Sequence, residues 1–414
     1  MQRIGYLIPE FPGQTHIFFW RERRELQHRG IDAELISTRR PPPGIVSHEW
    51  SSEAARQTRY LYPPTATQIC SAAFAIAKAA PVGWGRCASS IARAEDRAAK
   101  VPWKVRARLI GLAVMGARLA QIAEARGWTH VHCHSCADAA NIAMFAHLLS
   151  GLTYSMTLHG PLSYYGPNQR EKWRHASMGI TVTQLLRREV ECDLAGFLPP
   201  SLEVAPMGVE TERFRRRCSF EPWQGRGTLR IFSCGRLNRG KGHQDLVEAV
   251  AHLRRTGIDA RLVIAGEDDA GGTGYRTELE VEIARKNLQD CVTLLGAVDE
   301  SRVVGGLEEA HVFALASHNE ALGVATMEAM AMAVPVVVTR VGGVDELVED
   351  GVSGLFVPPE QPALLADAIA KLAREPELAR QLGRNGRATV EAKFQATRSA
   401  DVLARHILDQ ARPA

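Results

Sequence analysis

The chain has 414 residues, of which 45% are hydrophobic and 23% charged, and its formal net charge is +4. This length exceeds one ordinary hydrophobic core, so two domains of about 200 residues each are expected. No apolar run of about 18 residues occurs, which argues against a transmembrane helix. The amino terminus lacks the apolar core of a secretion signal, so the sequence predicts a cytoplasmic protein.

Positive charge is concentrated in the first half of the chain. Residues 1–200 contain 24 Lys and Arg against 15 Asp and Glu, whereas residues 201–414 contain 26 against 31. A basic half indicates an anionic partner, such as a phosphorylated acceptor or an anionic membrane surface. Segment 51–125 fits either a membrane-surface helix or a packed helix with a solvated basic edge. No nucleic-acid-binding motif accompanies the charge, so nucleic acid is not expected.

The eight cysteines show no disulfide-framework spacing and are expected to be reduced thiols. Cys133 and Cys136 form a C-x-x-C motif flanked by His132 and His134, which raises the alternative of a zinc site. No second ligand pair has the spacing to complete a tetrahedral site, so no metal is predicted there.

Short β-branched runs alternate with helical segments throughout the second half, as in "LRIFSCGRL", "ARLVIAGE", "CVTLLGAV", "HVFALAS" and "VPVVVTRVGG". This alternation predicts βαβ units and a buried parallel sheet, which together make a doubly wound α/β domain. The first half shows the same signature in "RIGYLIP", "AELIST", "HVHCH", "YSMTLHG" and "GITVT", with a lapse between residues 40 and 128.

The turn-rich stretch "RRRCSFEPWQGRG" marks a boundary between domains at 1–220 and 221–395. The closing stretch "RATVEAKFQATRSADVLARHILDQ" predicts one long amphipathic helix, and residues 396–414 are expected to pack back toward the first domain. Two Rossmann-like domains in tandem would bind their ligand beyond the carboxyl ends of the strands, in a cleft between the domains.

Arg236 and Lys241 lie on a Gly-rich turn between a predicted strand and a predicted helix, in "RLNRGKGH". Two cations beside a helix amino terminus suit a diphosphate. The alternative is a solvated turn that happens to be basic.

The stretch "HNEALGVATMEAM" places Glu320 before a helix that begins near Gly323 and Val324, with Glu328 inside it. Unpaired amides at the helix start favour phosphate, and two carboxylates can accept hydrogen bonds from hydroxyl groups. Together they fit a nucleotide sugar. The alternative is an incidental loop acid followed by a solvent-facing helix residue.

The segments "GRLNRGKG", "NEALGVATMEAMAMAVPVVVTRVGGVDELVEDGVSGLFVPP" and "APMGVETERF" resemble the retaining family 4 glycosyltransferases of the GT-B fold. The resemblance covers nearly the whole second domain. It implies two Rossmann-like domains facing a central cleft and a nucleoside diphosphate sugar as donor. It also implies a carbohydrate or lipid-linked acceptor in polysaccharide or glycoconjugate synthesis.

The resemblance further implies a role for each matching residue. Arg236 and Lys241 would neutralise the diphosphate leaving group in place of a metal ion. Glu320 would contact the donor sugar, Glu328 would bind the ribose hydroxyls, and the amides at the helix start would lie near sugar and phosphate. No D-x-D motif follows a suitable strand, in agreement with metal independence.

In the first domain, Gly13 follows the first strand and would let backbone approach the donor. His159 matches the family histidine beside the donor sugar, although a lone histidine is often structural. His132 and His134 match the H-x-H-F segment of the colanic-acid-type branch. The Ser-Glu of that branch's S-E-T-F-I motif is absent after Gly13, which leaves the acceptor open.

Two alternatives keep the same fold: a nucleotide-sugar epimerase and a non-catalytic subunit. The retained Arg236, Lys241 and Glu320 disfavour a non-catalytic subunit. A nicotinamide-dependent dehydrogenase is disfavoured because no G-x-G-x-x-G motif follows the first strand.

Overall fold

The computed structural model describes residues 1–13, 16–41, 49–67, 70–71, 74, 80–96, 99–268 and 274–410. The chain divides into two compact units. The first comprises Met1–Pro41, Ser52–Pro206 and Thr397–Ala414, and the second comprises Pro42–Ser51 and Met207–Ala396.

The first unit is built on a parallel sheet. Its strands are, in chain order, β1 Gln2–Glu10, β2 Ile31–Arg39, β3 Arg59–Tyr60, β4 Glu95–Asp96, β5 Ala99–Lys100, β6 His130–Cys133, β7 Thr153–Leu158, β8 Met178–Thr181 and β9 Leu202–Val204. Seven of them form one sheet in the order β3-β2-β1-β6-β7-β8-β9, while β4 and β5 pair separately as a short antiparallel ladder. The strand order reverses between β1 and β6, which is the mark of a doubly wound sheet.

The second unit repeats this plan. Its strands are β10 Leu229–Cys234, β11 Ala260–Ala265, β12 Val292–Gly296, β13 Val312–Leu315, β14 Val336–Thr339 and β15 Leu355–Val357. All neighbours are parallel in the order β12-β11-β10-β13-β14-β15, so the order reverses between β10 and β13. A ligand crevice is expected at that reversal, beyond the carboxyl ends of the two strands.

Helices follow most of the strands, as the sequence alternation predicts. They are Ile17–His28, Glu49–Gln57, Ala80–Arg93, Trp103–Arg126, Asp138–Ser150, Gln169–Arg174, Gln184–Asp193, His243–Arg255, Tyr275–Arg285, Glu300–Glu309, Val324–Ala331, Pro362–Arg374, Pro376–Lys393 and Thr397–Gln410. None of the described helices is long and apolar enough to cross a membrane.

The central strands of the second sheet are buried on both faces. Every residue of β13 and β14 is buried, which explains their continuous apolar runs. Two buried clusters cover the faces, one containing Leu246 and Ile369 and the other containing Phe313 and Met330. The predicted α/β class with two doubly wound sheets is therefore confirmed.

The division between the units lies at Pro206 and Met207 rather than at the predicted 220 and 221. Residues just after the division already belong to the second core, since Val209 and Phe214 are both fully buried in it. The turn-rich composition of "RRRCSFEPWQGRG" identified an irregular stretch that lies after the division. The packing of the buried core places the division itself earlier in the chain.

The prediction of one long closing helix is wrong. The chain forms Pro376–Lys393 and Thr397–Gln410, separated at residues 394–396. There the Val209 amide donates to the Phe394 carbonyl at 2.9 Å, and the Ala396 amide donates to the Val209 carbonyl at 3.1 Å. These bonds to a distant segment replace helical ones. The second helix belongs to the first unit, where Asp401 pairs with Arg29 at 2.7 Å.

Candidate active site

Polar loops meet at the carboxyl edge of the second sheet, where the strand order reverses. The loop after β10 carries Arg236 and Lys241, and the loop after β13 carries Ser317 and Glu320. Because β10 and β13 are hydrogen-bonded neighbours, the two loops lie side by side. The topology therefore places the sequence-predicted cations and the first predicted carboxylate in the expected crevice.

Lys241 and Glu320 form an ion pair between Nζ and Oε2. Their side chains are only 19% and 14% exposed, so the pair is partly shielded from solvent. The Ser317 hydroxyl donates to the same carboxylate oxygen at 3.3 Å. Charges held in a partly dehydrated crevice act on a ligand more strongly than charges on an open surface.

Two glycines allow the backbone around this ion pair to pack closely. Gly242 has φ +65°, and a Cβ there would lie 1.9 Å from the Ala316 carbonyl oxygen. Gly342 has φ +57°, and its Cβ would lie 1.9 Å from the Glu320 carbonyl oxygen. The His318 amide also donates to the Gly240 carbonyl at 2.8 Å, which joins the two loops directly. A side chain at Gly242 would therefore force the Lys241 loop away from the loop that carries Glu320, and one at Gly342 would displace the Glu320 backbone.

Gly323 caps the amino terminus of the helix Val324–Ala331 and has φ +96°. This left-handed conformation turns the chain from the Glu320 loop into the helix. The first amides of the helix have no intrahelical partners and carry partial positive charge. The structure thus places the predicted Gly323 and Val324 amides three to four residues along the chain from Glu320.

Glu328 is only 8% exposed, so the alternative of a solvent-facing helix residue is wrong. It lies near Cys234 at the end of β10, because its charge contributes to a thiol pKa of about 12, after the larger effect of burial. The positive charge of Lys241 opposes that rise in pKa. Cys234 therefore lies close to both a buried carboxylate and the ammonium group of the ion pair.

Arg236 is exposed, and its backbone carbonyl lies 3.2 Å from His243 Nε2. Burial lowers the pKa of His243 to about 4, so the imidazole is neutral at pH 7. Two acids that follow β11 are paired within the protein, since Glu267 pairs with Arg276 at 2.7 Å and Asp268 accepts the Arg276 amide at 3.0 Å.

In the first unit, Gly13 lies after β1 at the corresponding reversal of strand order. A Cβ at Gly13 would lie 2.5 Å from Nδ1 of His16. The glycine therefore makes room for the His16 ring, which stacks on Phe11. The predicted close approach of a donor stays a prediction.

His159 lies after β7 and is joined through the sequence-predicted His134 to Glu22 and Tyr6, which the sequence did not single out. His134 Nδ1 lies 3.2 Å from His159 Nε2, and His134 Nε2 lies 2.8 Å from Glu22 Oε2. The Tyr6 hydroxyl donates to Glu22 Oε2 at 2.5 Å. Burial lowers the pKa of His159 to about 3 and holds that of His134 well below its usual range. Both imidazoles are therefore neutral.

Glu22 was missed because it occurs among several charged residues in "RERRELQH", where helical position alone does not reveal burial. It is 2% exposed, and a buried acid is rare unless it is paired. The available signal was its spacing from the buried Phe19 and Leu26 on the same helix.

His130 and His132 continue the polar network along β6. Ser155 Oγ lies 2.7 Å from both His130 Nε2 and His132 Nδ1, and Thr157 Oγ1 lies 3.0 Å from His132 Nε2. Among the described residues, Glu22, His132 and His134 could hold a metal, since their ligand atoms lie within 4.8 Å of one another. Both ring nitrogens of His132 already lie within hydrogen-bond distance of hydroxyl groups.

Neither cysteine of the C-x-x-C motif belongs to that group of potential ligands. Cys133 and Cys136 are fully buried, and the Cys133 thiol lies 3.2 Å from the Ser135 carbonyl. Burial raises the pKa of Cys136 to about 12.

Part of the chain matches known proteins in sequence. Residues 224–389 match the family model described as glycosyl transferases group 1. The chain is 35% identical over 174 residues to alpha-D-kanosaminyltransferase of Streptomyces kanamyceticus, covering 42% of this chain and 44% of that protein. It is 33% identical over 199 residues to the amylovoran biosynthesis glycosyltransferase AmsK of Erwinia amylovora, covering 47% of each. The chain thus spans just under half the length of these curated relatives.

The fold comparison extends over nearly the whole chain. HepE from Anabaena, solved in complex with UDP, superposes with a TM-score of 0.72 over 99% of this chain and 100% of that one, at 17% identity. Residues 224–389 are therefore a group 1 glycosyltransferase domain, and the chain has the GT-B glycosyltransferase fold, in agreement with the family 4 resemblance of its sequence.

Proposed function

We propose that this protein is a retaining glycosyltransferase that moves a sugar from a nucleoside diphosphate sugar to an acceptor hydroxyl. The observation that carries the proposal is the Lys241–Glu320 ion pair, which lies at the reversal of strand order inside a group 1 glycosyltransferase domain. The diphosphate of the donor would replace Glu320 as the ion-pair partner of the Lys241 ammonium group. Glu320 would then be free to accept hydrogen bonds from the sugar.

In the proposed reaction, the bond between the anomeric carbon and the diphosphate oxygen breaks as the acceptor oxygen bonds to the same face of that carbon. The acceptor proton passes to the departing phosphate oxygen. Lys241 and the exposed Arg236 stabilise the negative charge that develops on the diphosphate. The helix amides at Gly323 and Val324 add partial positive charge, so the site needs no metal ion for this role.

Two further residues complete the proposal. Glu328, which is buried near the end of β10, binds the ribose hydroxyls. In the first unit, a proton on His134 Nε2 would face the Glu22 carboxylate, so His134 Nδ1 would accept from His159 Nε2–H. His159 Nδ1 then keeps a lone pair for a sugar hydroxyl.

The donor is proposed to be a uridine diphosphate sugar, because the similar HepE structure contains UDP. A polysaccharide or lipid-linked acceptor is proposed from the relatedness to AmsK, which is named for amylovoran biosynthesis. The helix Trp103–Arg126 supports peripheral contact with an anionic membrane on the cytoplasmic side. It exposes Trp103 and Ile110 beside Lys104.

The test is transfer of labelled sugar from UDP-sugars to lipid-linked and oligosaccharide acceptors. Lys241→Ala and Glu320→Ala are each expected to lower turnover about a hundredfold or more. Lys286→Ala is the matched control, because Lys286 is also 19% exposed and pairs with Glu248 elsewhere in the same unit. Turnover near wild type in both site variants would refute the assignment.

The same assay separates transfer from nucleotide-sugar epimerisation. A transferase releases UDP in proportion to the acceptor supplied. Interconversion of the nucleotide sugar without any acceptor would instead establish an epimerase.

A further inference from the structure

Five arginines surround a cavity of about 400 Å³ in the second unit. They are Arg215, Arg216, Arg380, Arg384 and Arg387, and the lining includes one acid, Glu221. Residues 201–414 carry more acidic than basic side chains, 31 against 26, so this is a local concentration of positive charge in an acidic half of the chain. We name it the arginine cavity.

The sequence forms this cavity from two separate segments. Arg215 and Arg216 come from a run of three arginines that follows Phe214. Arg380, Arg384 and Arg387 lie at positions i, i+4 and i+7 of the helix Pro376–Lys393, so they share one helical face. Like charges at such spacing destabilise a helix unless something compensates them.

The arginine cavity lies at the opposite edge of the sheet from Lys241 and Glu320. Arg216 donates to the Leu307 carbonyl at 2.9 Å and to the Glu308 carbonyl, both of which precede β13. Ala333, which also lines the cavity, precedes β14. The proposed sugar-nucleotide site follows the carboxyl ends of the strands, so the two sites are separated by the length of the sheet.

Hydrogen bonds to carbonyl groups hold two of the arginines, Arg216 and Arg387, in place. Arg216 bonds to the carbonyls that precede β13, and its guanidinium group lies 5.4 Å from the centre of the Phe220 ring. Arg387 donates to the carbonyls of Phe214 and Ala331, although it also pairs with Glu391 at 2.8 Å. Both guanidinium groups are thus preorganised by the protein.

The other three arginines have weak partners or none. Arg380 pairs with Glu377 and lies 3.7 Å from Glu221, and those acids are 82% and 77% exposed. Arg215 lies 3.5 Å from Glu212, which is 86% exposed. Exposed pairs of this kind contribute little to stability and are readily exchanged.

Arg384 makes no hydrogen bond or ion pair within the parts of the chain that the structure describes. It lies one helical turn from both Arg380 and Arg387, so its charge adds to theirs. The cavity therefore combines two fixed guanidinium groups with three that can turn toward a ligand.

We propose that the arginine cavity binds a small anion that carries one or more phosphate groups. Guanidinium groups bind phosphate oxygens in pairs, and each phosphate concentrates up to two charges in a small volume. The cavity volume is in the range of small-molecule sites. A soluble phosphorylated metabolite and the headgroup of an anionic lipid share this chemistry.

The experiment uses the full chain carrying Lys241→Ala, which weakens any competing phosphate binding at the other edge. Calorimetric titration with inorganic pyrophosphate is expected to show binding in this background. The additional pair Arg215→Ala and Arg384→Ala is expected to weaken that binding about tenfold or more. Arg285→Ala is the control, because Arg285 is a 69% exposed arginine of the same unit outside the cavity.

A parallel arm measures co-sedimentation with phosphatidylcholine vesicles, with and without phosphatidic acid. Loss of phosphatidic-acid-dependent binding in the double-arginine variant would support the proposal and identify a lipid headgroup as the source. Pyrophosphate binding without vesicle binding would support a soluble ligand. Binding that survives the arginine changes, absence of binding in both arms, or preferred binding of a poly-glutamate peptide would overturn the proposal.

Discussion

The two units share one topology but hold different chemistry where their strand order reverses. In the first unit, the reversal between β1 and β6 is filled by the buried Tyr6, Glu22 and His134, which lead to His159. In the second unit, the reversal between β10 and β13 carries the partly exposed Lys241–Glu320 pair.

This difference shows what the fold determines and what it does not. A doubly wound sheet provides a crevice beyond its strands, and the side chains on the loops decide what happens there. The first unit holds neutral imidazoles in a fixed network, which suits the positioning of hydroxyl groups. The second unit holds opposite charges that a diphosphate can separate.

Lowering the pH is expected to produce the largest difference in stability between the two units. The pKa values of His130 and His159 are lowered to about 3 by burial, and those of His132 and His134 are also well below the usual range. Between about pH 6.5 and pH 4, these groups are neutral when folded and protonated when unfolded. The unfolded state then binds more protons, so stability falls as the pH falls.

At pH 5 each such histidine accounts for at most about 2 kcal/mol of lost stability. Among the described residues the second unit has fewer of these groups, and the pKa values of His243 and His311 are each lowered to about 4. Hydrogen exchange followed by mass spectrometry at pH 7 and pH 5, corrected for intrinsic rates, should show greater loss of protection in the first unit. Greater loss in the second unit would contradict this account.

Gly242→Ala tests the close approach of loops in the second unit. The left-handed φ and the 1.9 Å clash with Ala316 together should lower the free energy of unfolding by about 2–5 kcal/mol. Gly257→Ala is the control, because Gly257 also has positive φ and follows the same helix, but its added Cβ would meet nothing within 4 Å. Urea unfolding should show a loss of only about 1–2 kcal/mol for the control. Equal losses of unfolding free energy in the two variants would show that backbone movement relieves the clash at Gly242.

Glu22→Gln is expected to have a smaller effect, confined to the transfer step. The amide removes the negative charge that faces His134, so the proton position on His134 is no longer fixed and His159 loses its placement. Turnover should fall about tenfold, while affinity for UDP should stay unchanged. Glu25→Gln on the same helix is the control, because Glu25 pairs with Arg29 instead. Unchanged turnover for Glu22→Gln would show that Glu22 does not position His159 for the transfer step.

The sequence predicts the second unit better than the first. Its regular alternation gave the strands β10 to β15, and Arg236, Lys241 and Glu320 follow strand ends that the pattern located. The Lys241–Glu320 contact itself was not predicted, since it depends on the close approach of two loops that Gly242 permits.

The network in the first unit depends on contacts across more than a hundred residues, from Glu22 to His134. Local hydrophobic periodicity in the sequence does not predict a pairing between residues so far apart. The break between the two closing helices has the same origin, because Val209 bonds to Phe394 and Ala396. The arginine cavity is also formed by segments that are distant in the sequence. Its arginines can be read in the sequence, but the sequence does not show that they meet in space.

The central claim is that Lys241 holds the diphosphate of the donor. Calorimetric titration of UDP into wild type, Lys241→Ala and Lys286→Ala tests it most directly. The account predicts UDP binding at least about tenfold weaker for Lys241→Ala and unchanged for Lys286→Ala. UDP binding to Lys241→Ala as tight as to wild type would contradict it.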